Sequence, residues 1–250
     1  MNYLIPVLAI LILGSCQVNS EKGVSKTGAR KDTTGVFSGI KRYYSEGKII
    51  KEVTFVNGLR NGICKNYYDD GRLKSTIIYR NNIKEDTAKW YYTEGMVYRI
   101  TPYVNDRIHG TQIKYYKNGR IQASLPYRNG LRLPGLKEYY ENGVEVKSNQ
   151  TIDYNISNQY NTNNGLVRVF LKLSQESIYV DYYHGSLVDN AFDPEKCRKV
   201  TASSGMGFIE LHKDPGKGRD YVDVIAVYTT RFGNNEILTR RIKLPYKDLI

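Results

Sequence analysis

Apolar and polar positions alternate with a period of two through most of the chain, in short runs separated by Gly, Asn and Asp. This is the pattern of strands joined by tight turns. The runs recur on a longer period as well. The pairs Tyr43/Tyr44, Tyr67/Tyr68, Tyr91/Tyr92, Tyr115/Tyr116 and Tyr139/Tyr140 are 24 residues apart, and each is followed in step by Gly47, Gly71, Gly95, Gly119 or Gly143. A second phase lies between them: Phe55, Tyr79, Tyr103 and Tyr127, followed by Asn57, Asn81, Asn105 and Asn129 and then by Gly58, Asn82, Asp106 and Gly130. Gly, Asn and Asp accept a positive φ, so both phases end in tight turns and the unit is strand, turn, strand, turn. Strands of about seven to nine residues leave no room for a crossover helix. The spacing therefore predicts an antiparallel meander of roughly ten strands over residues 35–148. Pro102 and Pro126 share one phase of consecutive repeats and lack a backbone donor, which predicts a bulge or local unpairing there.

Beyond residue 148 the phase is lost. A polar stretch, 149–164, reads as a linker. Alternation resumes over 165–250, with Val167, Val169, Leu171 and Leu173 on one side of a strand and further apolar runs near 208–211, 222–228 and 237–244. The expected fold class is all-β: an elongated β-hairpin repeat meander followed by a small β-sandwich-like domain.

Alternation puts the two tyrosines of each pair on opposite sides of the sheet. Lys41, Lys65, Lys89 and Lys137 stand two residues before the first tyrosine of their copies and so share its side. The result is a ladder of Lys41, Tyr43, Lys65, Tyr67, Lys89, Tyr91, Tyr115, Lys137 and Tyr139, with Ile113 in the lysine position of one copy. Equivalent strands are about 9.6 Å apart. This ladder is the candidate binding face; the competing reading makes the tyrosines half-buried packing and the lysines solubilising charge. The register beyond the pair depends on whether 45–47 is a three-residue loop with a bulge or Glu46 and Gly47 form a two-residue turn, and the sequence leaves both open.

The copies, with Tyr-Tyr, two residues, Gly, then an aromatic before Asn-Gly, resemble the variant MORN repeat over about 110 residues. That resemblance implies a repeat sheet that binds or scaffolds. Proteins carrying the variant are often described as antitoxin components, so neutralisation of a partner toxin is the alternative it implies.

The N-terminal run over residues 4–13 is too short, and too interrupted by Pro6, to span a bilayer, and it ends in small residues and a cysteine. Residues 1–15 read as a signal peptide. Leu13, Gly14, Ser15 and Cys16 resemble a bacterial lipobox, which implies lipidation of Cys16. Residues 16–34, polar and without apolar periodicity, then read as a flexible tether. The expected location is a bacterial cell envelope, as a membrane-anchored lipoprotein of the outer membrane.

Export also changes the meaning of the other cysteines, since Cys64 and Cys197 form an even pair that an oxidising compartment allows to bridge. Catalytic and metal chemistry find little to work with. His109, His184 and His212 are isolated in sequence, with no second ligand at metal spacing, and no phosphate-cradling motif is present, so no enzyme activity, cofactor or metal is expected. The basic excess belongs to the repeats: residues 36–150 hold 20 Lys and Arg against 11 Asp and Glu, whereas 151–250 hold 13 against 12. Such a surface favours an unidentified protein or an anionic envelope component over nucleic acid, which an exported protein does not meet.

Overall fold

The computed structural model describes residues 24–26, 30–31, 35–162, 165–175, 179–214, 216 and 218–250. The expected signal peptide and Cys16 lie outside the described residues. The described chain is almost entirely antiparallel β-structure; its one helical element is the 3₁₀ turn Pro194–Lys196.

The repeats form one 14-stranded sheet. Its main strands, in order, are Phe37–Ser45, Lys48–Val56, Leu59–Tyr67, Leu73–Arg80, Asp86–Tyr91, Val97–Val104, Gly110–Tyr115 and Ile121–Arg128, with Lys137–Glu138 closing the series. Two pieces of the stretch expected to be a tether, Val24–Lys26 and Arg30–Lys31, instead pair with Phe37–Ser45.

The Asn-phase turns are as the sequence requires. Asn57 and Gly58, Asn81 and Asn82, Asn105 and Asp106, and Asn129 and Gly130 all have positive φ at both central positions, the two-residue hairpin geometry that matches strand twist. The turn tips also lock one repeat to the last: Asn82 Oδ1 accepts the Arg60 amide at 2.9 Å and Asp106 Oδ1 the Lys84 amide at 2.8 Å. On the opposite edge the second tyrosine of each pair is the tie. The hydroxyls of Tyr68, Tyr92 and Tyr116 donate to the carbonyls of Tyr91, Tyr115 and Tyr139 at 2.6, 2.7 and 2.7 Å. Each bond is worth about 1 kcal/mol, and together they give the second tyrosine of each pair a role in joining neighbouring repeats.

The Tyr-phase loops take both of the lengths left open by the sequence. In the first hairpin Ser45 pairs with Lys48 around Glu46 and Gly47, φ 49° and 75°, a two-residue turn. In the next copy the Tyr68 amide bonds to Arg72 O and the Gly71 amide to Tyr68 O, leaving a three-residue loop closed by Gly71 at φ 85°. The same pair of bonds recurs at Tyr92, Tyr116 and Tyr140. One residue of difference in loop length shifts the first strand by one position, and a one-residue shift turns every side chain to the other face.

The bulge expected at the proline phase recurs in the copies without proline. Gly62, Asp86 and Gly110 are spaced by 24 residues and all have positive φ, at 116°, 62° and 103°. A Cβ on Gly110 would sit 3.3 Å from Pro102 Cγ, so the glycine accommodates the ring while the strand stays paired on either side.

One face of this sheet is packed although no second layer covers most of it. Val53, Cys64, Ile77, Ala88, Thr101, Gln112 and Leu125 form a buried row across successive strands. Gln112 donates to Thr101 Oγ1 at 2.9 Å, so the polar members are satisfied. Long side chains close over these small residues: Arg60 lies over Tyr79 (4.5 Å), Arg99 over Trp90 (4.0 Å) and Lys84 over Tyr103 (5.4 Å). Each contact adds about 0.5–1 kcal/mol to the area it buries.

Residues 152–250 form two four-stranded sheets packed face to face. One has the order Ile152–Gln159, Leu166–Leu173, Met206–Leu211, Ala202–Ser203; the other Arg198–Lys199, Val180–His184, Tyr221–Thr229, Asn235–Lys243. Val167, Val169, Leu171 and Leu173 all point into the core, against Tyr182, Ile209, Val222, Val224 and Ile242. The stretch 149–164, expected as a linker, instead supplies the strand Ile152–Gln159, paired along its length with Leu166–Leu173. Its apolar signal is confined to Ile152 and Ile156, since an edge strand needs little more to hold one side to the core.

Candidate binding surface

The cross-strand register assigns the ladder residue by residue. Arg42, Glu52, Lys65, Thr76, Lys89, Ile100, Ile113, Ser124 and Lys137 are successive partners and share one face, here the lysine face. Tyr67, Tyr91, Tyr115 and Tyr139 follow two residues along on that side. Lys41 and Tyr43 do not belong to it. Lys41 pairs with Val53 and Tyr43 with Lys51, which places both on the packed face, and Arg42 takes the position expected of Lys41. The shorter first hairpin loop is the cause.

On the lysine face the charges are partly spent among themselves. Glu52 accepts from Arg42 Nε at 2.7 Å and from the Tyr67 hydroxyl at 2.7 Å, with Lys65 Nζ 3.9 Å away. Lys89 and Lys137 are exposed and form no ion pair among the described residues. Burial and Glu52 push the Tyr67 phenol up to about 12. The Tyr67 hydrogen bond, and after it Arg42, hold the Glu52 carboxyl below the usual carboxylate range against the opposing effect of burial. Its folded value thus lies below its unfolded one, so the stabilisation is complete above the ordinary carboxylate pKa, about 4.3, and is lost as pH falls through the folded value. Glu52→Gln is expected to lower the urea midpoint at neutral pH and to match the unsubstituted protein once pH has fallen below the folded value; an equal deficit in both conditions would mean that charge is not what holds the cluster.

The packed face carries a second set of cations, which the lysine count alone misses. Next to the buried row runs another, Tyr43, Lys51, Asn66, Ser75, Trp90, Arg99, Lys114, Ala123 and Glu138. Lys41 and Lys51 approach the Tyr43 ring at 5.3 and 5.9 Å. The 24-residue spacing of Arg60, Lys84 and Arg132 was the available signal, broken by Ile108 in one copy.

At its far end this face meets the second unit. Glu138 is buried and its Oε1 accepts from Thr230 Oγ1 at 2.7 Å and Asn234 Nδ2 at 2.5 Å. Asn234 Oδ1 in turn accepts from Lys114 Nζ at 2.5 Å. Arg132 donates to the Asn235 carbonyl, and Arg231 lies over the Tyr140 ring at 4.8 Å. Burial, then the nearby Arg99 and Arg132, push the Lys114 ammonium down. Beside this seam lies a cavity of about 710 Å³, lined by Glu138, Tyr140, Ser148, Gln150, Tyr228 and Glu236 among others.

Neither Cys64 nor Cys197 is in a disulfide. Cys64 belongs to the buried row on the strand Leu59–Tyr67, whereas the second unit, with Cys197 packed against Gly185, meets the sheet at Lys114, Arg128, Arg132 and Glu138. The histidines stand apart: His109 bonds to Asn129 at a turn (3.0 Å), His184 lies in a strand with burial pushing its imidazole down, and His212 pairs through its backbone with Ile250. Among the described residues no group of three or more His, Cys, Asp or Glu is placed to hold a metal ion.

The fold and its two-sided sheet define a class, that of β-hairpin repeat proteins built from stacked units. Within that class the repeats are of the MORN type: residues 40–57, 60–81, 87–105 and 108–129 match the MORN repeat variant. Repeats of this type are generally non-catalytic binding or scaffolding modules. No curated protein matches the chain.

Proposed function

We propose that the protein is a non-catalytic scaffold of the bacterial cell envelope, held to a membrane by lipid on Cys16 and binding its partner through the repeat sheet. The observation that carries the binding half is the sheet itself. It exposes two decorated faces with a basic excess, and only one end is occupied by the second unit. The anchoring half rests on the lipobox-like residues 13–16. A diacylated cysteine supplies about 0.8 kcal/mol per buried CH₂, enough to hold a chain on a bilayer. Cys16→Ser is expected to move the protein from the detergent phase to the aqueous phase in a phase-partition assay and to abolish incorporation of labelled fatty acid. Equal partitioning of both proteins removes the lipoprotein reading and leaves the sheet as a binding element untouched.

A further inference from the structure

We infer that the packed face, over the hairpins left uncovered by the second unit, is a docking surface for an acidic polypeptide segment. This rests on the reading that the repeat sheet is the binding element and names its face and its partner.

The first support is continuity with an interface that the chain already makes. At the seam the same face receives a hairpin tip between Tyr221–Thr229 and Asn235–Lys243. There Lys114 takes the side-chain carbonyl of Asn234, Arg132 takes the backbone carbonyl of Asn235, and Phe232 packs edge-on against Tyr140 at 6.0 Å. The face thus holds polypeptide by offering cations to oxygen acceptors beside an aromatic ring. The uncovered hairpins repeat those ingredients with Lys41, Lys51, Arg60, Lys84 and Arg99 set among Tyr43, Trp90 and Tyr103.

The second support is charge. Among the described residues none of these five cations is in an ion pair. The one carboxylate in the row from Tyr43 to Glu138 is Glu138, and the seam consumes it. Arg99 is the most telling member. Its guanidinium lies 4.0 Å from the Trp90 ring centroid, and its Nε–H is buried with no hydrogen-bond partner among the described residues. A stacked guanidinium keeps its N–H edge for an in-plane acceptor, and a carboxylate matches that fork with two parallel bonds. An acidic side chain laid beside Trp90 relieves the repulsion between Arg99 and Lys114, its direct cross-strand neighbour.

Trp90 is the chain's single tryptophan, so its emission reports on this face alone. The full-length protein in neutral detergent is titrated with an oligoglutamate peptide at low salt. A saturable change in Trp90 emission is expected. The combined Lys51→Gln, Lys84→Gln and Arg99→Gln variant should weaken it roughly tenfold, since each exposed pair contributes a few-fold at most. Lys65→Gln with Lys89→Gln, on the lysine face, should leave it unchanged, and unaltered circular dichroism shows that each variant is folded. The inference falls if the peptide leaves Trp90 emission unmoved, if the triple variant responds like the unsubstituted protein, or if a sulfated glycan moves the signal and the peptide does not. Peptide binding that is lost in the Lys65 and Lys89 variant instead overturns the choice of face, while sheet binding as such survives.

Discussion

Glu138→Ala should destabilise the protein by about 3–5 kcal/mol, the range for breaking one partner out of a buried charged cluster. The carboxylate serves two donors at once, Thr230 Oγ1 and Asn234 Nδ2, and it favours the charged form of a half-buried Lys114 that already feels Arg99 and Arg132. Removing it orphans both donors and takes from Lys114 the carboxylate that offsets Arg99 and Arg132. Glu138→Gln is the informative companion, since it keeps an acceptor oxygen while deleting the charge and is expected to fall between the two. Urea unfolding followed by Trp90 emission and by far-ultraviolet circular dichroism measures the loss, the first probe sensing the repeats and the second the whole chain. A loss under about 1 kcal/mol would place this cluster with ordinary surface pairs and refute the seam as a buried contact.

Truncation in the sandwich should be equally severe. Tyr182 is fully buried, its ring covers Gly207 so closely that a Cβ there would lie 2.9 Å from Tyr182 Cδ2, and its hydroxyl donates to Gly205 O at 3.1 Å. Tyr182→Ala removes a large aromatic from a core that includes Val200 and Ile209, and is expected to lower stability by about 3–5 kcal/mol. Tyr182→Phe deletes only the hydroxyl and should cost about 1 kcal/mol. The difference between the two denaturation midpoints separates packing from hydrogen bonding. If both variants lose the same amount, the ring is not packed as described.

What the sequence made legible was whatever repeats. Tyrosine pairs, the Asn-phase turns and the step of 24 residues give the strand order, since turn chemistry and alternation are local properties. The register of the first hairpin was not legible, because Glu46 with Gly47 suits either loop length and only pairing with the next strand decides. That choice moved Lys41 and Tyr43 across the sheet. The strand Ile152–Gln159 was hidden by its composition, an edge strand needing few apolar residues to hold one side to a core. The cationic packed face escaped notice because its members belong to different strands. Trp90 and Arg99 lie on the two strands of one hairpin at positions that do not recur from copy to copy, and the register brings them together.

The tyrosine hydroxyls and turn-tip side chains tie each repeat to its immediate neighbour and to nothing further along. A sheet built on nearest-neighbour ties has no fixed length. Duplicating or deleting a whole module among the early copies leaves every tie with a partner. The copies from Lys114 onward are specialised for the seam and act as a terminal fitting. Span is therefore an adjustable dimension of this molecule, and gene duplication is the means of adjusting it: one more module lengthens the sheet by two strand widths, about 9.6 Å, without asking the sandwich to change.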